Sequence, residues 1–194
     1  MEIIAHRINS IDKLKNLPKN FGAEIDIRSY QSDLILNHEP YKTGNYLHEF
    51  LENYNHKTLV LNIKEAGIEN DVLKMVESFS IKSYFLLDVE FPYIFYSFKN
   101  NISNIAIRFS EFEDINIANK LVNKFDWIWV DTVNKLPINQ HNLDIIKKYK
   151  SCLVCPERWN RPEDIINYKK KFKEIGYTPD AVMTNLKYVQ SWLN

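Results

Sequence analysis

Short aliphatic runs alternate with longer amphipathic stretches along the whole chain, and this alternation narrows the possible folds more than any single motif. Strands are expected over 3–6, 23–28, 59–64, 84–88, 105–108, 127–131, 152–155 and 181–184. Helices are expected between them, over 10–16, 45–54, 70–78, 92–99, 111–124, 139–148 and 162–175, with a last short one over 186–193. Ser10, Ser110 with Glu113 three residues on, and Arg161-Pro162 read as helix starts. Gly176 stands where a helix should end. Strands that alternate with helices pair in parallel. Eight such units predict an α/β fold, a compact (β/α)8 TIM barrel over residues 1–194 as a single domain. A doubly wound open sheet is the alternative. With 194 residues for eight units, loops and helices must be minimal.

The hydrophobic fraction of 45% and charged fraction of 26% are those of a soluble globular protein. Net charge is zero, which argues against a broad footprint for nucleic acid or an anionic membrane. No apolar run reaches the ~20 residues of a membrane span, so no stable membrane insertion is expected. The chain enters a strand at Glu2 without a leader pattern, so a cytoplasmic location is expected. Cys152 and Cys155 form a CxxC, but on a strand residues three apart face opposite ways. They read as two buried thiols. The basic run 168–173 reads as a solvated helix face.

The strand ends carry the chemistry. With a period of two, Glu24, Asp26 and Arg28 share one face of their strand, and Ile25 and Ile27 share the other. His6-Arg7 closes the first strand and His38-Glu39 follows a third apolar run. Asn62 and Lys64, Asp88, Arg108, Asp131 and Glu157 end later strands in the same way. In a barrel the aliphatic face packs on the helices and the polar face converges at the C-terminal mouth. Charges brought together out of water must be paired or hold a ligand or metal. One structural pair, such as Arg28 with Glu157, is expected; a whole ring of them points to a site. His48, His56 and His141 lie on or beside surface helices and are weaker candidates.

The ordered set HR, ExD, HE and NxK resembles glycerophosphodiester phosphodiesterases, of the PI-PLC-like phosphodiesterase type. Leu61–Lys64 resembles the family's third-strand Glu-x-Lys, and PDAVMTN resembles its last strand and following turn. The resemblance implies a (β/α)8 barrel and a phosphoric diester hydrolase with a divalent cation, Mg2+ or Ca2+, on three acidic positions. Here these are Glu24, Asp26 and, in place of the third acid, Asn62, whose amide oxygen brings no charge. It implies that His6 and His38 transfer protons while a neighbouring hydroxyl attacks phosphorus, possible products including a cyclic phosphate that is then hydrolysed. Arg7 would hold phosphate oxygens, and Lys64 would add positive charge in the transition state.

The chain departs from the family pattern in four places. Ile8 replaces the glycine after His-Arg, and the usual Glu-Asn-Thr stretch before the second strand is missing. His-Glu replaces His-Asp, and the insertion after the second strand is absent. Asp88, Arg108, Glu111, Asp131, Glu157 and Arg158, with Trp129 and Trp159, are expected to ring the rest of the mouth. Carboxylates beside an aromatic platform suit a sugar or polyol. The expected substrate is therefore a small-molecule or polymer phosphodiester, either a glycerophosphodiester or a sugar phosphodiester. Arg108, Trp129, Asp131 and Glu157 would bind its alcohol, in lipid metabolism or an allied process. Two other readings remain: a catalytically weakened phosphodiester- or saccharide-binding barrel, and a glycosidase using Asp131 and Glu157. The latter leaves His6, Arg7 and His38 unexplained.

Overall fold

A computed structural model describes residues 1–193. The fold is mixed α/β with a ten-stranded sheet. Strand pairing does not establish the closed barrel that was expected. The chain divides into two compact units, Ile4–Tyr96 and Met1–Ile3 with Ser97 onward.

The N-terminal unit is built around a long central strand. It holds the end of β1 (Glu2–Ala5), α1 (Ile11–Lys15), β2 (Gly22–Tyr30), β3 (Asp33–Leu36), β4 (Asn45–Tyr46), α2 (Leu47–Glu52), β5 (Leu59–Ile63), α3 (Glu69–Ser78) and β6 (Tyr84–Leu87). β2 pairs in parallel with β1 through Ile4↔Gly22 and with β5 from Ala23↔Leu59 to Ile27↔Ile63. β5 pairs in parallel with β6. The far half of β2 turns back on itself: Ile27–Tyr30 pair antiparallel with β3, and β3 with the short β4. Both faces of β2 are covered over its first six residues, 22–27. Glu24 and Asp26 are as buried as Ile25 and Ile27, so the expected alternation holds with neither side in water.

The other unit carries α5 (Ile115–Lys120), α6 (Leu143–Ile146), α7 (Asp164–Glu174) and α8 (Val189–Leu193) around four parallel strands. These are β7 (Ala106–Phe109), β8 (Trp127–Val130), β9 (Lys150–Val154) and β10 (Ala181–Thr184). α4 (Phe91–Asn100) precedes β7. Every residue of β8 and β10 is buried, as parallel strands sandwiched by helices require.

All eight expected strands are present within two residues of their expected ends. Two more, β3 and β4, are an antiparallel addition that the strand-helix alternation does not predict. Most helices are shorter than expected, α5 and α6 most of all. Ser110 does not cap a helix: its hydroxyl donates to Glu113 at 2.7 Å and accepts from the Phe112 amide at 3.0 Å, which makes a turn. α5 starts later, where Asp114 accepts from the Asn116 amide. Asn142 opens α6 only at Leu143. Gly176 does end a helix, with φ 62°. Cys152 and Cys155 are free and buried, and burial pushes the Cys155 thiol far above its usual range, with the Glu157 charge adding to the effect.

Candidate active site

The N-terminal unit gathers six of the expected residues at the end of β1, β2 and β5. Arg7 follows β1 in the left-handed conformation, φ 56°, which costs a residue with a side chain about 1–2 kcal/mol. That bend turns its amide onto Glu24, donating to Oε2 at 2.7 Å. The next amide, of Ile8, donates to the Glu24 carbonyl at 2.8 Å. His6 Nε2 lies 4.0 Å from Glu24 Oε2. On the neighbouring strand Asn62 stands beside Asp26 in register, and its amide group donates to Glu24 Oε1 at 2.9 Å. Lys64 Nζ is 3.3 Å from Asp26 Oδ1 and 3.5 Å from Asp88 Oδ2. Arg7 Nε is 3.8 Å from Asp26 Oδ2.

Asn9 completes this arrangement and was not anticipated. Its side chain brackets Asp26, donating to Oδ2 at 2.7 Å and accepting from the Asp26 amide at 2.8 Å. Its only sequence signal is its place two residues after Arg7.

His38 reaches the site through the β2–β3 hairpin. Register carries Leu36 back to Ile27, and the Asn37 amide then donates to the Asp26 carbonyl at 3.0 Å. His38 Nδ1 is 2.6 Å from Glu39 Oε1, a contact that fixes the ring. The bond to His38 holds the Glu39 carboxyl below its usual range, and the charge of Arg7 acts in the same direction. Arg28 is not a substrate group here. Its guanidinium donates to the His38 carbonyl at 3.1 and 3.2 Å and to the Lys64 carbonyl at 3.1 Å. One side chain therefore ties together the two segments that carry His38 and Lys64. Its carboxylate partner is Glu65, at 3.6 Å.

Two adjacent buried carboxylates set the electrostatics. Burial pushes the Glu24 carboxyl up to about 7, and the charge of Asp26 pushes it the same way, against the donors from Asn62 and Arg7 and the charge of Lys64. Among the described residues no three His, Cys, Asp or Glu side chains are grouped to hold a metal ion. The donor set of Glu24, Asp26 and Asn62 includes an amide instead. Asp26 Oδ1 and Asn62 Oδ1 are buried and accept no hydrogen bond. Asp26 Oδ1, which has Lys64 Nζ at 3.3 Å, and the unbonded Asn62 Oδ1 are hard oxygens beside an ionisable carboxylate, a set that fits an oxygen-liking divalent cation.

The other unit has its own polar set. Arg108 donates to Asp131 Oδ2 at 2.6 Å and lies 3.6 Å from Glu113. Asp131 Oδ1 accepts from the Trp159 indole at 3.0 Å and from the Thr132 amide at 2.9 Å. Both Asp131 oxygens are thus used within the protein, which makes Asp131 a holder of Arg108 and Trp159. Trp159 is partly exposed with Arg158 over its ring, whereas Trp129 is buried. Glu157 accepts from the Thr184 hydroxyl and from the Asn185 amide. Glu111 accepts from the Asn134 amide at 2.6 Å. Arg161, marked in the sequence only as part of a helix start, ties the Thr132 and Val133 carbonyls to Asp164 and Tyr168.

The fold has a solved counterpart. A glycerophosphoryl diester phosphodiesterase from Parabacteroides distasonis ATCC 8503 matches over 94% of this chain and 81% of its own, with a TM-score of 0.64 and 13% sequence identity. At that identity the likeness is one of fold. Neither a family model nor a curated protein matches the sequence. Among the described residues no helix is long and apolar enough to cross a membrane.

Proposed function

We propose that this chain hydrolyses a phosphodiester in a cation-assisted reaction, with His6 and His38 as the proton-transferring pair. The observation that carries the reading is the gathering of His6, Arg7, Glu24, Asp26, Asn62 and Lys64 at adjacent strand ends, with His38 held by Glu39. Arg7 and Lys64 supply fixed positive charge for the phosphate oxygens. One histidine takes the proton of the substrate's neighbouring hydroxyl as it attacks phosphorus, the other gives a proton to the departing alcohol oxygen, and water then opens the cyclic phosphate with the histidine roles reversed. Glu24, Asp26 and Asn62 are the residues that would hold Mg2+ or Ca2+, which supplies further charge to the phosphate when bound. Arg108 and Trp159, held by Asp131, and Glu157 form a set within their own unit that we assign to binding a polyhydroxylated group. A planar cation beside an exposed indole suits a sugar or polyol. The buried Trp129 supports that group by packing.

The test is turnover of glycerophosphodiesters and sugar phosphodiesters by the purified protein with Mg2+ or Ca2+. Loss of either histidine should lower kcat by roughly 10²–10⁴. Unchanged turnover in both His6→Ala and His38→Ala would overturn the reading.

A second reading rests on Asn62, which brings no charge to the cation site and spends its amide group on Glu24. In that reading the chain binds a phosphodiester without efficient hydrolysis. It expects affinity for a phosphodiester with no measurable divalent-cation binding in a calorimetric titration.

A further inference from the structure

α7 divides its residues between two faces. Ile165, Tyr168 and Phe172 are buried. Ile166, Lys169, Lys170 and Lys173, spaced i, i+3, i+4 and i+7, form a separate stripe. With Gln190 and Ser191 of α8 this stripe lines an open groove of about 550 Å3. A second groove of about 370 Å3 shares Lys169 and Lys173 and has Phe172 and Trp192 in its wall.

The charge on the stripe is not neutralised locally. The acidic residues of α7 are engaged elsewhere, Asp164 with Arg161 and Glu174 with Lys171. Lys169 donates to the Ser191 carbonyl at 3.0 Å. Among the described residues none of the three lysines forms an ion pair with a carboxylate. Apolar side chains accompany them: Ile166 is 75% exposed, and Leu193, three residues beyond Gln190, is 54% exposed. These aliphatic side chains put apolar area beside the lysines. Three cations would serve any polyanion, but exposed aliphatics favour one that also offers an apolar phase. Recognition of a single-stranded nucleic acid would call for exposed aromatic stacking platforms instead.

We propose that the α7–α8 groove docks the chain on an anionic lipid bilayer, with Lys169, Lys170 and Lys173 on the head groups and Ile166 and Leu193 in the outer acyl region. The attachment is peripheral and reversible. Each lysine near an anionic leaflet contributes about fivefold in partitioning, so three give on the order of a hundredfold, sensitive to salt. The surface is independent of the phosphodiesterase reading.

Vesicle flotation tests it, using phosphatidylcholine alone and phosphatidylcholine with phosphatidylglycerol. The expected result is flotation with the anionic vesicles at low salt and release at high salt. Lys170→Gln with Lys173→Gln should reduce partitioning roughly 25-fold. Ile166→Gln should reduce it with the charge intact. Both variants change exposed side chains, and unchanged thermal melts would show that they fold. Equal flotation with neutral vesicles, no flotation, or no loss in the lysine variant would overturn the proposal. So would lysine-dependent binding of a single-stranded oligonucleotide without vesicle binding, which would assign the stripe to nucleic acid.

Discussion

Asp26 is buried with a charge that three side chains must hold, and Asn9 holds it most directly. Removing the Asn9 amide strands both a buried carboxylate oxygen and the Asp26 N–H. Asn9→Ala should therefore destabilise the protein by about 2–3 kcal/mol, measured by urea unfolding. An unchanged midpoint would mean that water or Arg7 replaces the amide without loss. Glu39 acts through His38. Glu39→Gln keeps the size but removes the charge that orients the ring, so kcat should fall less than in His38→Ala while KM stays near its original value. If kcat is untouched, the 2.6 Å contact has no part in catalysis. The ionisable members of the site were readable in the sequence because a charge on an aliphatic strand stands out. Asn9 and Arg28 were not read correctly. An asparagine beside a strand is an ordinary loop residue, and nothing in AEIDIR says that the arginine will bond carbonyls from two other segments.

The β2–β3 hairpin is the element that brings His38 in, and the turn into β4 packs against its outer strand at one close approach. A Cβ at Gly44 would lie 2.1 Å from the Leu36 carbonyl oxygen, which is backbone and cannot turn away. Gly44→Ala should push β4 from β3, costing about 1–3 kcal/mol, and weaken hydrogen-exchange protection of the Leu36 amide. Protection equal to the parent would show that the hairpin does not need this contact. Most of the fold was readable because parallel strands covered on both faces are nearly continuous aliphatic runs. LVLNI and AVMT are examples, found where expected. β4 was missed as a strand, and β3, marked only as a third apolar run before His38, was left outside the eight, for the opposite reason. They are short, lie beside a turn, and interrupt a strand-helix rhythm that otherwise holds. The late start of α5 has a local cause too: the Ser110–Glu113 bond, which resembles a capping box in sequence, closes a turn instead.

At the scale of the whole molecule a net charge of zero hides strong local fields, as the α7 lysines and the paired carboxylates both illustrate. Glu24 gives this a thermodynamic consequence. Its pKa rises from 4.5 to about 7 on folding, so the native state binds that proton more tightly than the unfolded chain. Its contribution to stability is full below about 4.5 and is lost as pH rises through about 7. The cation-free protein should thus lose on the order of 2–3 kcal/mol from this group between pH 4.5 and 8, and Glu24→Gln should flatten the pH profile of Tm. A profile equally steep in the variant would assign the dependence to other groups. A divalent cation binds the ionised carboxylate, so Mg2+ or Ca2+ should raise Tm more at pH 8 than at pH 5. Asn62→Asp separates the two sides of this balance. A third carboxylate beside Glu24 and Asp26 adds repulsion without the cation and a charged ligand with it. The variant should melt below the parent in chelator and above it in excess cation. It should also bind the ion more tightly by calorimetry. If the variant loses stability in chelator and regains none with cation, Glu24, Asp26 and residue 62 do not form a cation site, and the charge for phosphate must come from Arg7 and Lys64 alone.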